Sequence, residues 1–551
     1  MKKIIVKKLA RPIIEGVDPL IAAILSGRGL VEPSSINAYL NGGVELLYDP
    51  MLLKNAQAVC EQIERAIVAR EQIAIYGDYD ADGICATAIM CLTISELGGV
   101  VGAKLPDRVT NGYGLSKNVI DNLSRRGVKL IVTVDNGITA IDEIAYARSL
   151  GIKTVVTDHH QPGKELPICE AIVNPHVNGE TYPYPHLAGA GVAFKIACLL
   201  YSRAGYPVDR AYRHLDLAAI GTIADVVPLT DENRIIAKEG VSIIRQTPRP
   251  GIEALFGLFS TNLSAVTSGD IAYKLAPAIN ATGRIVDNGA RKALSLLVSD
   301  ETNSSRYANE LYSTNKERKL LVDSHLDRAK GNYDGSKVFV YYDPNIPEGI
   351  AGLIAGKLKE DLARPVIILA EGVESFKGSG RSVQGFNLIE ALRYSSGLLT
   401  RYGGHPLAAG LSAKKDLANV DALRKAINDY ADETGFDASE PEVLTVDAVL
   451  PQEKVSLELA QRLSVMEPFG EKNPKPVFLV KGFKTSGYTY LSDKKHLKLF
   501  GDTGSAIAFG MASEYEALGE PKVIDLAVTV GINNFNCKVD PQLEVVSFAK
   551  L

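Results

Sequence analysis

The sequence predicts an α/β protein of several domains, one of them built on a buried parallel sheet with acidic residues at its strand ends. Three observations carry this expectation. Between residues 50 and 230, short β-branched runs alternate with helix-length stretches, the pattern of strands buried on both faces. Acidic or acid–histidine clusters directly follow those runs. The chain has 551 residues, too many for one core and enough for about three or four domains.

Residues 1–49 read as a mixed, largely helical lead-in broken at Gly27, Gly29, Gly42 and Gly43. The α/β domain follows at 50–230. It opens with an amphipathic helix over 54–70, where Ala56, Val59, Ile63 and Ile67 recur at helical spacing. The runs Ile73–Tyr76, Leu130–Val134, Thr154–Thr157 and Ala171–Val173, each bounded by turn residues, are the expected strands. Residues 231–330 read as helical. Within them, 305–330 contains neither Gly nor Pro and many charges, which predicts a long connecting helix ended by Gly331 and Asn332. A second α/β unit, 331–430, begins at Lys337–Tyr342. From 445 to 551 short strand-like pieces recur (Pro476–Val480, Leu497–Phe500, Ala506–Phe509, Val523–Val530, Leu543–Phe548), as expected of a small β-barrel of the OB type.

Hydrophobic residues make up 46% and charged residues 23% of the chain, an ordinary globular balance. A net charge of −5 and a pI near 6.0 exclude a strongly basic protein that wraps long duplex. They leave room for a locally basic groove. The six cysteines, Cys60, Cys85, Cys91, Cys169, Cys198 and Cys537, form no C-x-x-C pair. A zinc ribbon is not indicated, and the scatter suits reduced thiols in a cytosol. No signal peptide is read at the N-terminus, and no apolar window approaches 18 residues. A cytoplasmic protein without membrane contact is expected.

The most informative stretch is IAIYGDYDADGIC, 73–85, where Asp78, Asp80 and Asp82 alternate directly after an apolar run. Ligands of open α/β sheets bind beyond the carboxyl ends of strands. Carboxylates crowded there repel unless a cation or shared protons intervene. An EF-hand loop also opens D-x-D-x-D-G, but its twelfth position needs Glu and here holds Ile89. Other acids stand at comparable places: Asp135 after Leu130–Val134, Asp158-His159-His160 after Thr154–Thr157, and Asp225 after the apolar stretch 219–224. Carboxylate with imidazole suits manganese or another first-row divalent ion, with all-oxygen magnesium as the alternative. A bridging carboxylate would support two ions roughly 3.5–4 Å apart.

The motifs DYDADG (78–83), VDNG (134–137), DHH (158–160) and GTIADVVPL (221–229) resemble the four signature motifs of the DHH phosphoesterases. Further segments resemble the RecJ family of single-strand-specific 5′→3′ exonucleases. They are NPH (174–176), LAGAGVAFK (187–195), NATGRI (280–285), EGIAGLIAGKLKE (348–360), GSGRS (378–382), GGHPLAAG (403–410) and PFGEKNPKP (468–476). The resemblance runs from about residue 40 to the C-terminus. It implies a DHH-type catalytic domain, a DHH-associated domain at 331–430 and an OB-fold at 445–551 that binds single strands.

By position, the resemblance implies that Asp80, Asp82, Asp135, His159 and Asp225 ligate two divalent ions, manganese preferred, with Asp135 bridging. Many smaller DHH enzymes carry a histidine where this chain has Tyr76; Asp78 is expected to supply the missing ligand, a change RecJ proteins share. Asp158 is expected to orient His159, and His160 to contact the scissile phosphate or to stand just outside the ligands. Arg284 is expected at a phosphate oxygen, with pairing to a surface carboxylate as the bland alternative. The GSGRS and GGH segments read as a phosphate cradle in which glycines admit backbone N–H groups to an anion. Ser379, Arg381 and His405 are assigned to substrate, with Arg108 as a second arginine. The alternative for GGH is a turn with His405 capping a helix.

In the barrel, Lys481, Lys484, Lys494, Lys495 and Lys498 are interleaved with Phe483, Tyr488 and Tyr490, as single-strand binding uses, although such aromatics also fill barrel cores. Two positions depart from the family pattern, Lys472 and Cys537, where glycine is usual. The expected activity is metal-assisted hydrolysis of single-stranded DNA from the 5′ end, releasing mononucleotides in recombination and repair. Single-stranded DNA is the expected partner of a monomer, with a single-strand-binding protein, helicase or mismatch-repair factor through the resemblance alone. The alternatives are a DHH phosphodiesterase for short oligonucleotides or cyclic dinucleotides, and an inactive scaffold at replication forks.

Overall fold

The structure is a computed structural model that describes residues 3–10, 12–106, 114–286, 288–438, 443–492, 494–501, 504–535 and 538–549. The chain forms two compact units. One comprises residues 1–46, 229–231 and 440–551; the other comprises 47–228 and 232–439.

The first unit begins with a short strand, β1 (Lys3–Val6), and two helices, α1 (Pro19–Ser26) and α2 (Pro33–Asn41). Both helices start at proline, whose missing N–H costs nothing there. Asp18 caps α1 by accepting from the N–H groups of Leu20 and Ile21.

In the second unit, α3 (Ala56–Val68) buries Ala56, Val59, Cys60, Ile63 and Ala66, the stripe that helical spacing predicts. A five-stranded sheet follows, with β2 (Gln72–Tyr76), α4 (Ala81–Glu96), β3 (Val100–Lys104), α5 (Lys117–Arg125), β4 (Val128–Val134), α6 (Ile141–Ser149), β5 (Lys153–Thr157) and β6 (Ala171–Val173). All strands are parallel, in the order β3-β2-β4-β5-β6. The four expected strands are present. Edge strand β3 was not expected, because its mostly exposed residues and Gly102 give no apolar run. Next come α7 (Gly189–Arg203), α8 (Asp209–Tyr212) and α9 (Leu215–Ala224), with α4, α7 and α9 packed on one another.

A helical stretch continues with α10 (Asp231–Gln246), α11 (Pro250–Leu258), α12 (Ser268–Asp270), α13 (Ala276–Ile285), α14 (Gly289–Val298) and the 31-residue α15 (Glu301–Gly331). Asp300 caps α15 through the Asn303 N–H. The second sheet contains β7 (Phe339–Tyr342), α16 (Glu348–Leu362), β8 (Val366–Glu371), β9 (Ser375–Arg381), α17 (Leu388–Tyr394), β10 (Leu399–His405), β11 (Ala408–Lys414) and α18 (Leu417–Glu433). Its order is β10-β11-β9-β8-β7. Leu326, Ile350 and Ile354 from α15 and α16 cover the face bearing Val366 and Ile368. Leu388, Leu423 and Ile427 from α17 and α18 cover the other.

The remainder of the first unit holds β12 (Val443–Val446), β13 (Ala448–Val449), α19 (Leu457–Ser464), β14 (Val477–Leu491), β15 (His496–Gly501), β16 (Gly504–Ala508), α20 (Ala512–Ala517), β17 (Val523–Phe535) and β18 (Lys538–Ala549). The sheet runs β13-β14-β15-β16-β18-β17, and β17 pairs back with β14. Five strands therefore close into a barrel, which removes the exposed edges. Ile21, Ile24, Leu25 and Ile36 share its hydrophobic core with Phe478, Phe483 and Phe548. The N-terminal 46 residues are thus part of the barrel unit, a sharing that local sequence does not announce. Among the described residues no helix is long and apolar enough to cross a membrane.

Candidate metal centre and substrate-binding residues

The turn after β2 converges carboxylates. Asp80 is the N-cap of α4, and its Oδ1 accepts from the N–H groups of Asp82 (3.1 Å) and Gly83 (3.0 Å). This satisfies two donors that a helix start leaves open. Asp82 lies against the start of a second helix: its Oδ2 accepts from Gly189 N–H at 2.7 Å and its Oδ1 from Ala190 N–H at 2.9 Å. The fit is close. A Cβ on Gly189 would lie 2.5 Å from Asp135 Cβ, and one on Gly221 would lie 2.4 Å from Asp82 Oδ1.

Asp135 follows β4 with φ of 60°, the left-handed region that costs a non-glycine residue. Its N–H donates to the Thr157 carbonyl (3.0 Å), and Asn136 Nδ2 donates to the carbonyls of Val134 (2.9 Å) and Tyr76 (3.2 Å). These bonds hold the strained turn. His159, after β5, points Nε2 at Asp135 Oδ1 (3.0 Å), Asp225 Oδ2 (3.7 Å) and Asp82 Oδ2 (3.8 Å). Among the described residues three ligand groups result, Asp78–Asp80–Asp135, Asp82–His159–Asp225 and Asp135–His159–His160, each with ligand atoms within 4.8 Å of one another. Asp135 belongs to two of them. Tyr76 is buried, and its hydroxyl donates to the Gly114 carbonyl at 2.8 Å, so Asp78, also buried, is the acid that faces Asp80 and Asp135.

Two expectations need correction. Asp225 is not at a strand end; it is the C-cap of α9. That helix is buried from Leu215 to Ile223, so its mostly apolar sequence shows no one-sided stripe and resembles a buried strand. Asp158 accepts from the His159 backbone N–H at 2.7 Å, but the ring it bonds is that of His160. Asp158 Oδ1 pairs with His160 Nδ1 at 2.8 Å, and Ile138 N–H donates to Asp158 Oδ2 at 2.9 Å. His159 Nε2 is buried without a hydrogen-bond partner and faces the carboxylates.

The electrostatics fit a cation. Burial, then the charge of Asp80, pushes Asp82 up to about 7. Burial, then Asp82 and Asp80, pushes Asp225 up to about 8 and, in the order Asp82 then Asp80, lifts Asp135 well above the carboxylate range. Burial and the neighbouring His160 push His159 down to about 4, leaving a neutral imidazole. Asp135 Oδ1 and His159 Nε2 are both buried without a hydrogen-bond partner, although they face each other. Acceptors that converge with no donor between them suit a divalent cation. Burial opposes protonation of His160, but the Asp158 hydrogen bond and charge lift it to about 9. At neutral pH it is a half-exposed cation beside the acids.

On the second sheet, Arg381 pairs across the ladder with Ala408 and Ala408 with His405, while Ser379 pairs with Gly410 and Gly410 with Gly403. Cross-strand partners share a face. Ser379, Arg381 and His405 therefore stand on one face, with two glycines and one alanine between them. Arg381 Nη1 donates to Ser379 Oγ (3.2 Å) and the Gly380 carbonyl (2.9 Å). A Cβ on Gly352 of α16 would lie 2.9 Å from Ser379 Oγ. The glycines of GSGRS lie in central strand β9, which is paired on both sides. Its backbone N–H groups belong to the ladders, so side chains are what this face offers an anion. GGHPLAAG forms the β10–β11 hairpin, and His405 caps no helix. Arg284 Nη1 donates to the Gly349 carbonyl at the start of α16 (3.1 Å). Arg108 lies outside the described residues.

In the barrel unit, Phe483 is core, while Tyr488 and Tyr490 both donate to Glu520 (2.6 and 3.0 Å). Phe500, 41% exposed with Lys498 Nζ 5.7 Å from its ring centre, is the better-placed stacking surface. Lys472 has φ of 58°, which explains why glycine suits its position; Cys537 lies outside the described residues.

Residues that motif reading left without a role acquire one here. Gly189, Ala190 and Gly221 seat Asp82. Asn280 Oδ1 accepts from the Ala81 N–H at 2.7 Å. Only the side chain's reach across 199 positions reveals this.

Family models match in three places: the DHH family, N-terminal domain, over residues 72–222, the DHHA1 domain over 335–433 and the RecJ OB domain over 446–547. The chain is 36% identical over 542 residues to the single-stranded-DNA-specific exonuclease RecJ of Bacillus subtilis, covering 96% of this chain and 68% of that protein. It is 32% identical over 554 residues to the protein of the same name from Escherichia coli, covering 94% of each. The crystal structure of RecJ in complex with Mn2+ from Thermus thermophilus superposes with a TM-score of 0.84 at 29% identity, covering 100% of this chain and 80% of that one. With its α/β DHH and DHHA1 sheets, its closed C-terminal barrel and relatives of this similarity over nearly its whole length, the chain belongs to the RecJ family.

Proposed function

We propose that the chain is a metal-dependent exonuclease that degrades single-stranded DNA from its 5′ end and releases mononucleotides, in recombination and repair. One observation carries this reading: five aspartates and His159 converge so that Asp135 is shared between ligand groups, with Asp135 Oδ1 and His159 Nε2 buried without a hydrogen-bond partner. Asp78, Asp80, Asp82, Asp135, His159 and Asp225 would hold two divalent ions, manganese by preference and magnesium as a substitute. When bound, such ions supply an acidified water and neutralise charge at the phosphate.

The chain's own groups do the rest. His160, cationic at neutral pH through Asp158, would hold a non-bridging phosphate oxygen. Arg284 and the Ser379–Arg381–His405 face bind the strand's phosphates beyond it. The barrel also binds single strands, with Phe500 offering a ring and Lys498 a charge. A monomer acting in the cytoplasm, handed single strands by a single-strand-binding protein, a helicase or a mismatch-repair factor, completes the reading. The carboxylates are all in place, which argues against an inactive scaffold. The match to the RecJ OB domain over 446–547 argues against a phosphodiesterase confined to dinucleotides.

Incubation with Mn2+ and 5′- or 3′-labelled single strands or duplex tests this. Mononucleotides should appear from the 5′ end of single strands alone. Turnover limited to dinucleotides would refute it. Asp135→Ala should reduce hydrolysis to background while the circular dichroism spectrum is retained; persistent turnover would refute the shared-ligand role.

A further inference from the structure

We propose that Asn280 is a positioning residue for the metal centre: its carboxamide oxygen occupies the Ala81 N–H at the start of α4 and so keeps the neighbouring carboxylates for the cation. The inference rests on the metal-centre reading above.

Three N–H groups open the first turn of α4. Asp80 Oδ1 takes two of them, those of Asp82 and Gly83. The third, from fully buried Ala81, is taken by Asn280 Oδ1 at 2.7 Å, from α13. A buried N–H without an acceptor recruits the nearest one. Here the acids Asp78, Asp80 and Asp82 stand within three residues of Ala81. Each oxygen drawn to Ala81 is one withdrawn from the cation. A carboxamide fills this place without adding another negative charge to a cluster already short of counter-charge. The contact is braced. A Cβ on Gly283, one turn along α13, would lie 2.8 Å from the Tyr79 carbonyl, so this helix rests directly on the acidic loop. The next residue, Arg284, reaches Gly349 of α16.

The experiment is Mn2+ titration by calorimetry on the purified full-length chain and on Asn280→Ala, Asn280→Asp and Asn280→Ser, with melting temperatures in EDTA and kcat and KM on a single strand. Asn280→Asp keeps an acceptor of the same reach and should bind Mn2+ at least as tightly as the parent. Asn280→Ala, and Asn280→Ser, too short to reach Ala81, should bind Mn2+ roughly 10-fold more weakly or worse. Their kcat should recover at high Mn2+, and KM should stay constant. If Asn280→Ala does not fold, the Asp and Ser variants carry the comparison. Unchanged Mn2+ affinity in the Ala or Ser variants overturns the proposal, as does a raised KM alone, which would make Asn280 a strand contact. A fall in melting temperature that Asn280→Asp shares and Mn2+ does not rescue also overturns it, because the role is then structural. If the parent binds Mn2+ but leaves single strands intact, the exonuclease reading fails while the Asn280 comparison stands.

Discussion

Two acids of the metal centre are held by backbone devices rather than by their own side-chain preference. Asp82 is seated on two helix N–H groups and Asp135 on a strained left-handed turn. The glycines that permit this are as constrained as the acids. Gly221→Ala should push Asp82 from its place, because the new Cβ would meet Oδ1 at 2.4 Å. A displacement of this kind can cost on the order of 100-fold in rate, measurable as kcat on a labelled single strand with the fold checked by circular dichroism. The metal-free centre should also destabilise the fold as pH rises. Asp82 and Asp225 are raised to about 7 and about 8, so the folded state holds protons that the unfolded chain has already released. Their stabilisation is complete below the unfolded value near 4 and is lost as pH climbs through 7 and 8. His160, raised to about 9, adds to the loss above roughly 6.5, whereas His159, lowered to about 4, opposes it only between 4 and roughly 6.5. Melting temperature in EDTA should therefore fall most steeply from about pH 6.5 to 8, and Mn2+ should reverse the slope. Most of these residues were legible in the sequence, because acids that follow apolar runs have few structural uses. The partner of Asp158 was not, since either adjacent histidine satisfies the same motif.

Elements decide which way those residues face. The helix before Asp225 and the strand that carries GSGRS escape local reading for one reason: burial on all sides erases the periodicity that separates helix from strand. α9 is buried all round, and β9 carries glycines because Leu411, Leu369 and Leu388 press on it. In the barrel, alternation puts Phe483 inside and Phe500 outside. Phe483→Ala should cost roughly 3–5 kcal/mol of stability. Phe500→Ala should leave stability nearly unchanged and weaken single-strand binding by about 1–3 kcal/mol. Chemical denaturation and fluorescence anisotropy separate the two outcomes, and equal stability losses would put both rings in the core.

At the scale of the whole molecule, the barrel is completed by the other end of the chain. Ile21, Ile24, Leu25 and Ile36 lie in one core with strands more than 400 positions away. Deleting 440–551 alone should strand these side chains in water and cause aggregation on size exclusion. Deleting 1–46 as well should yield a soluble product that retains Mn2+ binding; equal behaviour of the two truncations would refute the shared core. By itself, the sequence determined the α/β architecture and the identity of the acidic and histidine set. It did so because buried strands need β-branched runs, and crowded carboxylates need a cation. Only the tertiary structure decided that the first 46 residues belong to the barrel, that Asp158 serves His160, that Asp225 ends a helix and that Asn280 reaches the first acidic turn. Those are contacts between segments far apart in the chain or choices between adjacent side chains, and local periodicity and spacing carry no information about either.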